Sequence, residues 1–132
     1  MSLILKKYSE PKRFALHRTN SRTMKVKSKV WIEKNGKPIF GEGKSRLLQA
    51  IEKTGSINEA ARSMGISFRR AWSYIRTMER RLGFLLVDKS RGGKGGGGSS
   101  LTEEAKRFLA RYEKLNKSIR AFSDKKFKEI WK

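Results

Sequence analysis

Three arginines and two serines recur at helical spacing over ten residues of the chain: Ser67, Arg69, Arg70, Ser73 and Arg76. A guanidinium group presents its donors in a planar fork, which matches the paired acceptors of a phosphate or of the edge of a guanine base. The serine hydroxyls add short donors and acceptors to the same stretch. These residue types favour noncovalent recognition of an anion over bond-making chemistry.

A glycine tract, RGGKGGGGSS, is the second candidate site. Its Gly93, Gly95 and Gly98 match the G-x-G-x-x-G spacing of a dinucleotide-binding turn. That fold also needs a second parallel strand after the helix, with an acidic residue near its end, and this chain continues instead as one helical pattern. We therefore interpret the tract as a hairpin tip, where Arg91 and Lys94 flank glycines that let the backbone approach a phosphate.

The composition excludes most other chemistry. The chain has 33 lysines and arginines against 12 acidic residues, a net charge of +21, which implies a polyanionic partner. It has no cysteine and one histidine, so we expect no disulfide, no metal site, no Ser-His-Asp triad, no cofactor and no enzymatic activity. No apolar run approaches the ~20 residues that cross a bilayer, so we expect no membrane contact.

Local signals before the arginine-rich stretch predict a hairpin and two helices. Asn35-Gly36 lies between short apolar runs, which is typical of a β-hairpin, and Pro38 suits an edge strand. Helices are predicted over residues 44–53 and 57–64. For the second helix, Ser56 is the expected cap, with Glu59 reaching back to it in a capping box.

The stretch SINEAARSMGISFRRAWSYI has the pattern of a helix-turn-helix. Ala61 is the small residue expected where the two helices cross, Gly65 opens the turn and Ile66 packs beneath it. The second helix, capped by Ser67 and ending near Leu82, would project its arginines outward into a DNA major groove. A strand over residues 84–88 and a return strand over 99–101 would complete a wing around the glycine tract.

The last segment predicts one long helix capped by Thr102. Its apolar residues follow alternating gaps of four and three, a heptad pattern. Because the small domain offers little surface to such a helix, we interpret this seam as a homodimer interface; the alternative is a helix lying across its own domain. The seam residues are Leu101, Ala105, Phe108, Tyr112, Leu115, Ile119 and Phe122.

Two segments, GSINEAARSMGISFRRAWSYI and LLVDKSRGGKGGGGSSLT, resemble the N-terminal DNA-binding domain of the molybdate-responsive ModE regulators, which are related to the LysR-type winged helices. The resemblance covers roughly residues 25–122. It implies a winged-helix dimer that binds pseudo-palindromic DNA. The residues it places near the bases are Ser67, Phe68, Arg69, Arg70 and Ser73.

The chain also departs from that family. Molybdate-sensing ModE regulators carry C-terminal oxyanion-binding domains, whereas this sequence stops at Lys132, so we expect no effector domain and no molybdate binding. The basic arm over residues 1–24 is a further departure that would add electrostatic affinity.

Taken together, the sequence predicts a mostly α fold with a small β component: a winged helix-turn-helix with an N-terminal β-hairpin, a glycine-rich wing and a long C-terminal dimerisation helix. The expected divisions are a basic arm (1–24), a DNA-binding domain (25–101) and a dimerisation helix (102–132). The expected function is a cytoplasmic, nucleoid-associated, homodimeric transcriptional regulator of double-stranded DNA. The alternative is an abundant architectural chromatin protein with little sequence specificity, because contacts to 6–10 phosphates already give strong binding that ignores sequence.

Overall fold

The computed structural model describes residues 23–88 and 98–132, which form four helices and two short antiparallel strand pairs. This is the mostly helical winged helix-turn-helix that the sequence predicts. Residues 1–22, most of the predicted basic arm, and residues 89–97 lie outside the described residues. In chain order the elements are β1 (Ile32–Lys34), β2 (Lys37–Phe40), α1 (Glu42–Thr54), α2 (Ile57–Ser63), α3 (Phe68–Leu82), β3 (Val87–Asp88), β4 (Ser100–Leu101) and α4 (Glu103–Ile130).

The predicted N-terminal hairpin is present as β1 and β2. Asn35 and Gly36 both have positive φ, 54° and 76°, as a two-residue type I′ turn requires. Pro38 pairs with Glu33 in this two-stranded sheet, so its missing N–H interrupts no central strand. β2 ends at Phe40, which is buried and anchors the hairpin to the core.

Residues 24–31, which precede β1, belong to neither of the two strand pairs. From Met24 to Val30 alternate side chains are half-buried and the lysines between them are exposed. The Tyr112 hydroxyl on α4 donates a 2.8 Å hydrogen bond to the Val30 carbonyl. The apolar face of this segment therefore lies toward a helix instead of a neighbouring strand.

The helix-turn-helix is α2, its turn and α3. Ala60 and Ala61 are buried where the two helices meet, and the Ile66 amide donates to the Ala61 carbonyl at 3.0 Å across the turn. Gly65 has a φ of 69°, a left-handed conformation that glycine adopts without steric cost. The predicted roles of Ala61, Gly65 and Ile66 are confirmed.

One predicted detail of α2 is wrong. The Ser56 hydroxyl does accept a hydrogen bond from the Glu59 amide at 3.1 Å, which is the first half of a capping box. The second half is absent, because the Ser56 amide donates to the Thr54 hydroxyl at 3.3 Å and the Glu59 carboxylate lies 3.6 Å from Arg62. The Thr54 hydroxyl takes the place of the Glu59 carboxylate as acceptor for the Ser56 amide, and the carboxylate pairs with Arg62 instead.

The strands that lead into and out of the predicted wing are shorter than expected. β3 covers Val87–Asp88 and pairs with β4 at Ser100–Leu101. The predicted strand over 84–88 is interrupted because its backbone groups bond to side chains: the Leu86 amide to Glu79 at 2.9 Å, and the Leu85 carbonyl to the Thr102 hydroxyl at 2.7 Å. These two bonds fasten the base of the wing to α3 and to the start of α4.

The predicted seam residues fall into two groups that differ in burial. Leu101 in β4 and Ala105 and Tyr112 in the first half of α4 are buried in the core of their own domain, and Phe108 packs against that core. These four residues fit the alternative interpretation, a helix lying across its own domain. Phe40 explains the difference, since its ring lies edge-on to Phe108 and Tyr112 with centroids 5.0 and 4.9 Å away. A heptad pattern records an apolar helix face and not the identity of its partner.

The second half of α4 extends past that core. Leu115 is 43% exposed and Phe122 57% exposed, with Ile119 half-buried between them. The three keep the four-three spacing of the predicted seam. They form an apolar strip on one side of the helix, which we call the distal strip.

Candidate nucleic-acid interface

The site begins at the N-terminus of α3, where local signals fix the helix start. Ser67 is the cap, and its hydroxyl accepts a 3.0 Å hydrogen bond from the Arg70 amide. The sequence prediction placed Ser67 both as a cap and near the bases, and the structure shows the capping role. Gly83, with a φ of 88°, ends the helix.

Helix periodicity gives α3 one buried and one exposed face. Ala71, Ile75 and Met78 are fully buried against the core. At 100° per residue, the opposite face carries the exposed side chains of Arg69, Ser73, Arg76 and Arg80, with Arg70 and Thr77 at its border. The structure thus brings the predicted arginines and Ser73 onto one solvent-facing surface, which we call the α3 face.

The α3 face is strongly positive. The helix has five arginines and one acidic residue, Glu79, whose carboxylate is engaged by the Leu86 amide. Arg81 does not belong to the face, because it donates a 2.7 Å hydrogen bond to the Pro38 carbonyl and so ties α3 to the hairpin. The remaining four guanidinium groups stay on or beside the face.

An aromatic column supports one flank of the α3 face. The Arg76 guanidinium lies over the Trp72 ring at 5.1 Å, a cation–π geometry. The Trp72 ring in turn meets Phe68 edge-on, with centroids 6.3 Å apart. Phe68, which the resemblance places near the bases, is 46% exposed.

The wing lies beside this column, as far as the structure describes it. Trp72, Arg76 and Leu85 line a shallow cleft together with β3. Leu85 is 65% exposed, the second most exposed of the large apolar residues in the described ranges. The predicted wing residues Arg91 and Lys94 lie outside the described residues.

Sequence reasoning missed two features of the site. Arg80 is not in the predicted DNA-binding set, although it is exposed on the α3 face and its guanidinium donates a 3.2 Å hydrogen bond to the Thr77 hydroxyl. Trp72 is not among the predicted site residues either, while the structure places its ring beneath the Arg76 guanidinium. The i, i+4 spacing of an aromatic and an arginine was the available signal for that pair.

Neither a metal-binding cluster nor a membrane-spanning helix is found in the part of the chain that the structure describes. Within residues 23–88 and 98–132, no group of three or more His, Cys, Asp or Glu side chains is placed to hold a metal ion. Among the helices in the same ranges, none is both long and apolar enough to cross a membrane.

Comparison with known proteins bears on this geometry directly. Residues 44–106, from α1 through the first turn of α4, match the family profile for bacterial regulatory helix-turn-helix proteins of the lysR family. Residues 44–106 therefore resemble the helix-turn-helix domain of LysR-type regulators, and the described part of the chain has a winged helix-turn-helix fold. A solved structure of the CbnR DNA-binding domain in complex with DNA has the same fold, with a TM-score of 0.51 and 19% sequence identity over 64% of this chain and 91% of that one.

Curated relatives confirm the resemblance to ModE. The DNA-binding transcriptional dual regulator ModE of Escherichia coli (strain K12) is 41% identical over 69 residues, 52% of this chain and 26% of that protein. The molybdenum-pterin-binding protein MopB of Rhodobacter capsulatus is 36% identical over 90 residues, 68% of this chain and 33% of that protein. The segments that match this chain thus span only 26% to 33% of the length of these relatives.

Proposed function

We propose that the chain acts as a dimeric transcriptional regulator that binds double-stranded DNA through its winged helix-turn-helix. The α3 face carries the proposal: Arg69, Arg76 and Arg80 extend into solvent from a helix whose other side is locked into the core. The net charge of +21 and the similarity to regulators named ModE support it.

The N-terminal part of α3 reads base edges in the major groove. Arg69 and Arg70 are in its first turn, where a recognition helix contacts bases, and a guanidinium can bind guanine O6 and N7 together. Ser73, one turn further on, completes the reading surface. Arg76 is held over Trp72 and contacts backbone phosphate beside the bases. Arg91 and Lys94 contribute the cationic contacts of the wing.

A second copy of the chain covers the distal strip. Leu115, Ile119 and Phe122 continue the heptad pattern beyond the residues that their own domain buries. Two chains joined there present two α3 helices, and such dimers bind half-sites one helical turn apart, roughly 34–36 Å. This restricts the predicted dimer interface to three of the original seven residues.

Competition binding tests the proposal. A duplex selected from a random pool would compete with bulk genomic DNA for the full chain, measured by fluorescence anisotropy between 50 and 400 mM salt. We expect the selected site to bind about a thousandfold more tightly, and Arg69→Ala or Arg70→Ala each to cost about 1–3 kcal/mol and relax sequence preference. Lys125→Ala on α4 removes the same charge and should leave that preference intact.

The same titration distinguishes the architectural alternative. Equal affinities for selected and bulk DNA, with one steep salt dependence, would refute a site-specific regulator and indicate a chromatin protein. Under that outcome Arg69→Ala and Lys125→Ala would weaken binding equally, since each removes one phosphate contact.

The dimer is tested separately by sedimentation. We expect the wild-type chain to sediment as a dimer and Phe122→Glu to sediment as a monomer, because the substitution places a charge in the distal strip. Lys125→Glu, three residues away, introduces the same carboxylate outside the strip and should remain dimeric. Identical sedimentation of both variants as dimers would refute an interface at the strip.

A further inference from the structure

Phe68 occupies an unusual position for a large apolar residue. It is the first residue of α3, at the end of the helix that meets the bases under the proposed function, and 46% of it is exposed. The other aromatic residue on that flank, Trp72, is half-buried against the core. Phe68 directly precedes Arg69 and Arg70, so its exposed ring lies beside two guanidinium groups at the helix end that the proposed function brings to the bases.

The structure holds this ring in place. One edge contact joins Phe68 to Trp72 at 6.3 Å and 75°, and Arg76 lies on Trp72 at 5.1 Å. The three residues form a column along the helix at steps of four. The neighbouring polar group is already engaged, because the Ser67 hydroxyl caps the helix through the Arg70 amide. The start of α3 therefore presents a fixed apolar surface beside its arginines.

The major groove offers one apolar feature to such a surface, the 5-methyl group of thymine. The nitrogen and oxygen atoms on the base edges there are hydrogen-bond donors or acceptors, which a phenyl ring cannot pair, and the remaining C–H groups, such as C5–H of cytosine, offer a smaller apolar contact than the methyl group. Arg69 and Arg70 can bind guanine, so an apolar contact from Phe68 would add recognition of a second base, thymine.

We propose that Phe68 is a specificity-determining residue that contacts the 5-methyl group of a thymine in each half-site. This inference rests on the proposed function, since it needs α3 to lie in the major groove. Burial of one methyl group is worth about a fourfold change in affinity, and about fifteenfold when both half-sites of a dimer lose it.

Uracil substitution tests the contact, because deoxyuridine differs from thymidine only by that methyl group. Each thymine of the selected site would be replaced in turn, in one half-site and then in both. We expect one position at which wild-type affinity falls about fourfold per half-site, and at which Phe68→Ala shows no further loss. Ile130→Ala, which trims another exposed apolar residue, should respond to uracil as the wild type does.

The outcomes separate the two proposals. If binding is site-specific but uracil substitution lowers the affinity of the wild type and of Phe68→Ala by the same factor, the thymine contact is refuted. The proposal of a site-specific regulator is unaffected by that result. A rise in 2-aminopurine fluorescence next to the site, lost in Phe68→Ala, would overturn it in favour of a wedge that unstacks bases. No preferred site in the selection would overturn the regulator and the thymine contact with it. Circular dichroism would confirm that Phe68→Ala remains folded.

Discussion

The turn between α2 and α3 allows a prediction whose size follows from backbone geometry alone. Gly65 has a φ of 69°, and a Cβ added there would meet no atom within 4 Å. Gly65→Ala therefore introduces no steric clash with other residues, only the strain of a left-handed alanine, which costs roughly 1–2 kcal/mol. Gly65→Asn should cost less, because asparagine tolerates this conformation better.

Gly43 provides the matched control. It lies in the first turn of α1, also with open space around an added Cβ, and its φ is not in the left-handed range. Gly43→Ala should stabilise the fold by about 0.4–1 kcal/mol, since the unfolded chain loses freedom. At roughly 4 °C per kcal/mol for a chain of this size, the two alanine variants should differ in Tm by about 6–12 °C.

Thermal unfolding followed by circular dichroism at 222 nm measures this difference. Equal Tm values for Gly65→Ala and Gly43→Ala would refute the assignment of Gly65 as a strained turn position. A loss for Gly65→Asn larger than that for Gly65→Ala would also contradict it, since side-chain size would then matter more than backbone conformation.

Three further predictions concern hydrogen bonds that hold the site in place. Glu79→Ala leaves the Leu86 amide without its acceptor and should cost about 1–3 kcal/mol in urea unfolding, whereas an effect below a few tenths would show that water replaces the carboxylate. Thr102→Val removes both the cap of α4 and the bond to the wing base, for a loss of about 1–2 kcal/mol by the same measurement; an unchanged midpoint would contradict these roles. Burial raises the pKa of Tyr112 above its ordinary 10.0, so its neutral form stabilises the fold below pH 10 and that contribution is lost as pH rises further. Tyr112→Phe, which loses the bond to Val30, should be about 0.5–1.5 kcal/mol less stable at pH 8, with a gap that narrows above pH 10; a constant gap up to pH 11 would contradict this.

Much of the helix-turn-helix could be predicted because its signals are local. Ser67 caps α3, Gly65 makes the turn and Gly55 ends α1 in a left-handed conformation, each within a few residues of the element it defines. The hairpin turn at Asn35-Gly36 is of the same kind. Backbone conformations of this sort depend on neighbouring residues, so the sequence carries them directly.

What the sequence could not predict depends on tertiary partners. Tyr112 has the heptad spacing of a dimer residue, but its ring packs against Phe40, which belongs to a strand far away in the sequence. Similarly, the wing strand shortened because Glu79 and Thr102 bind its backbone, one from the preceding helix and one from the following helix. Apolar periodicity shows that a face is buried and leaves open whether the same chain or another buries it.

The exposed side of the site could be predicted from the sequence only in part. Helical periodicity was enough to place Arg69, Ser73 and Arg76 on one face. It could not show that Arg76 lies over Trp72, or that Phe68 remains half-exposed beside them, because both depend on side-chain packing. These two features make the proposed contacts specific enough to test singly.

Chemical protection of a selected duplex tests the central claim, that α3 reads base edges, most directly. Dimethyl sulfate methylates guanine N7 in the major groove and adenine N3 in the minor groove. We predict protection of guanine N7 at two positions about 10 base pairs apart, centre to centre, with that protection lost in Arg69→Ala and retained in Lys125→Ala. Unprotected guanines in a bound complex, or protection confined to adenine N3, would contradict a recognition helix in the major groove.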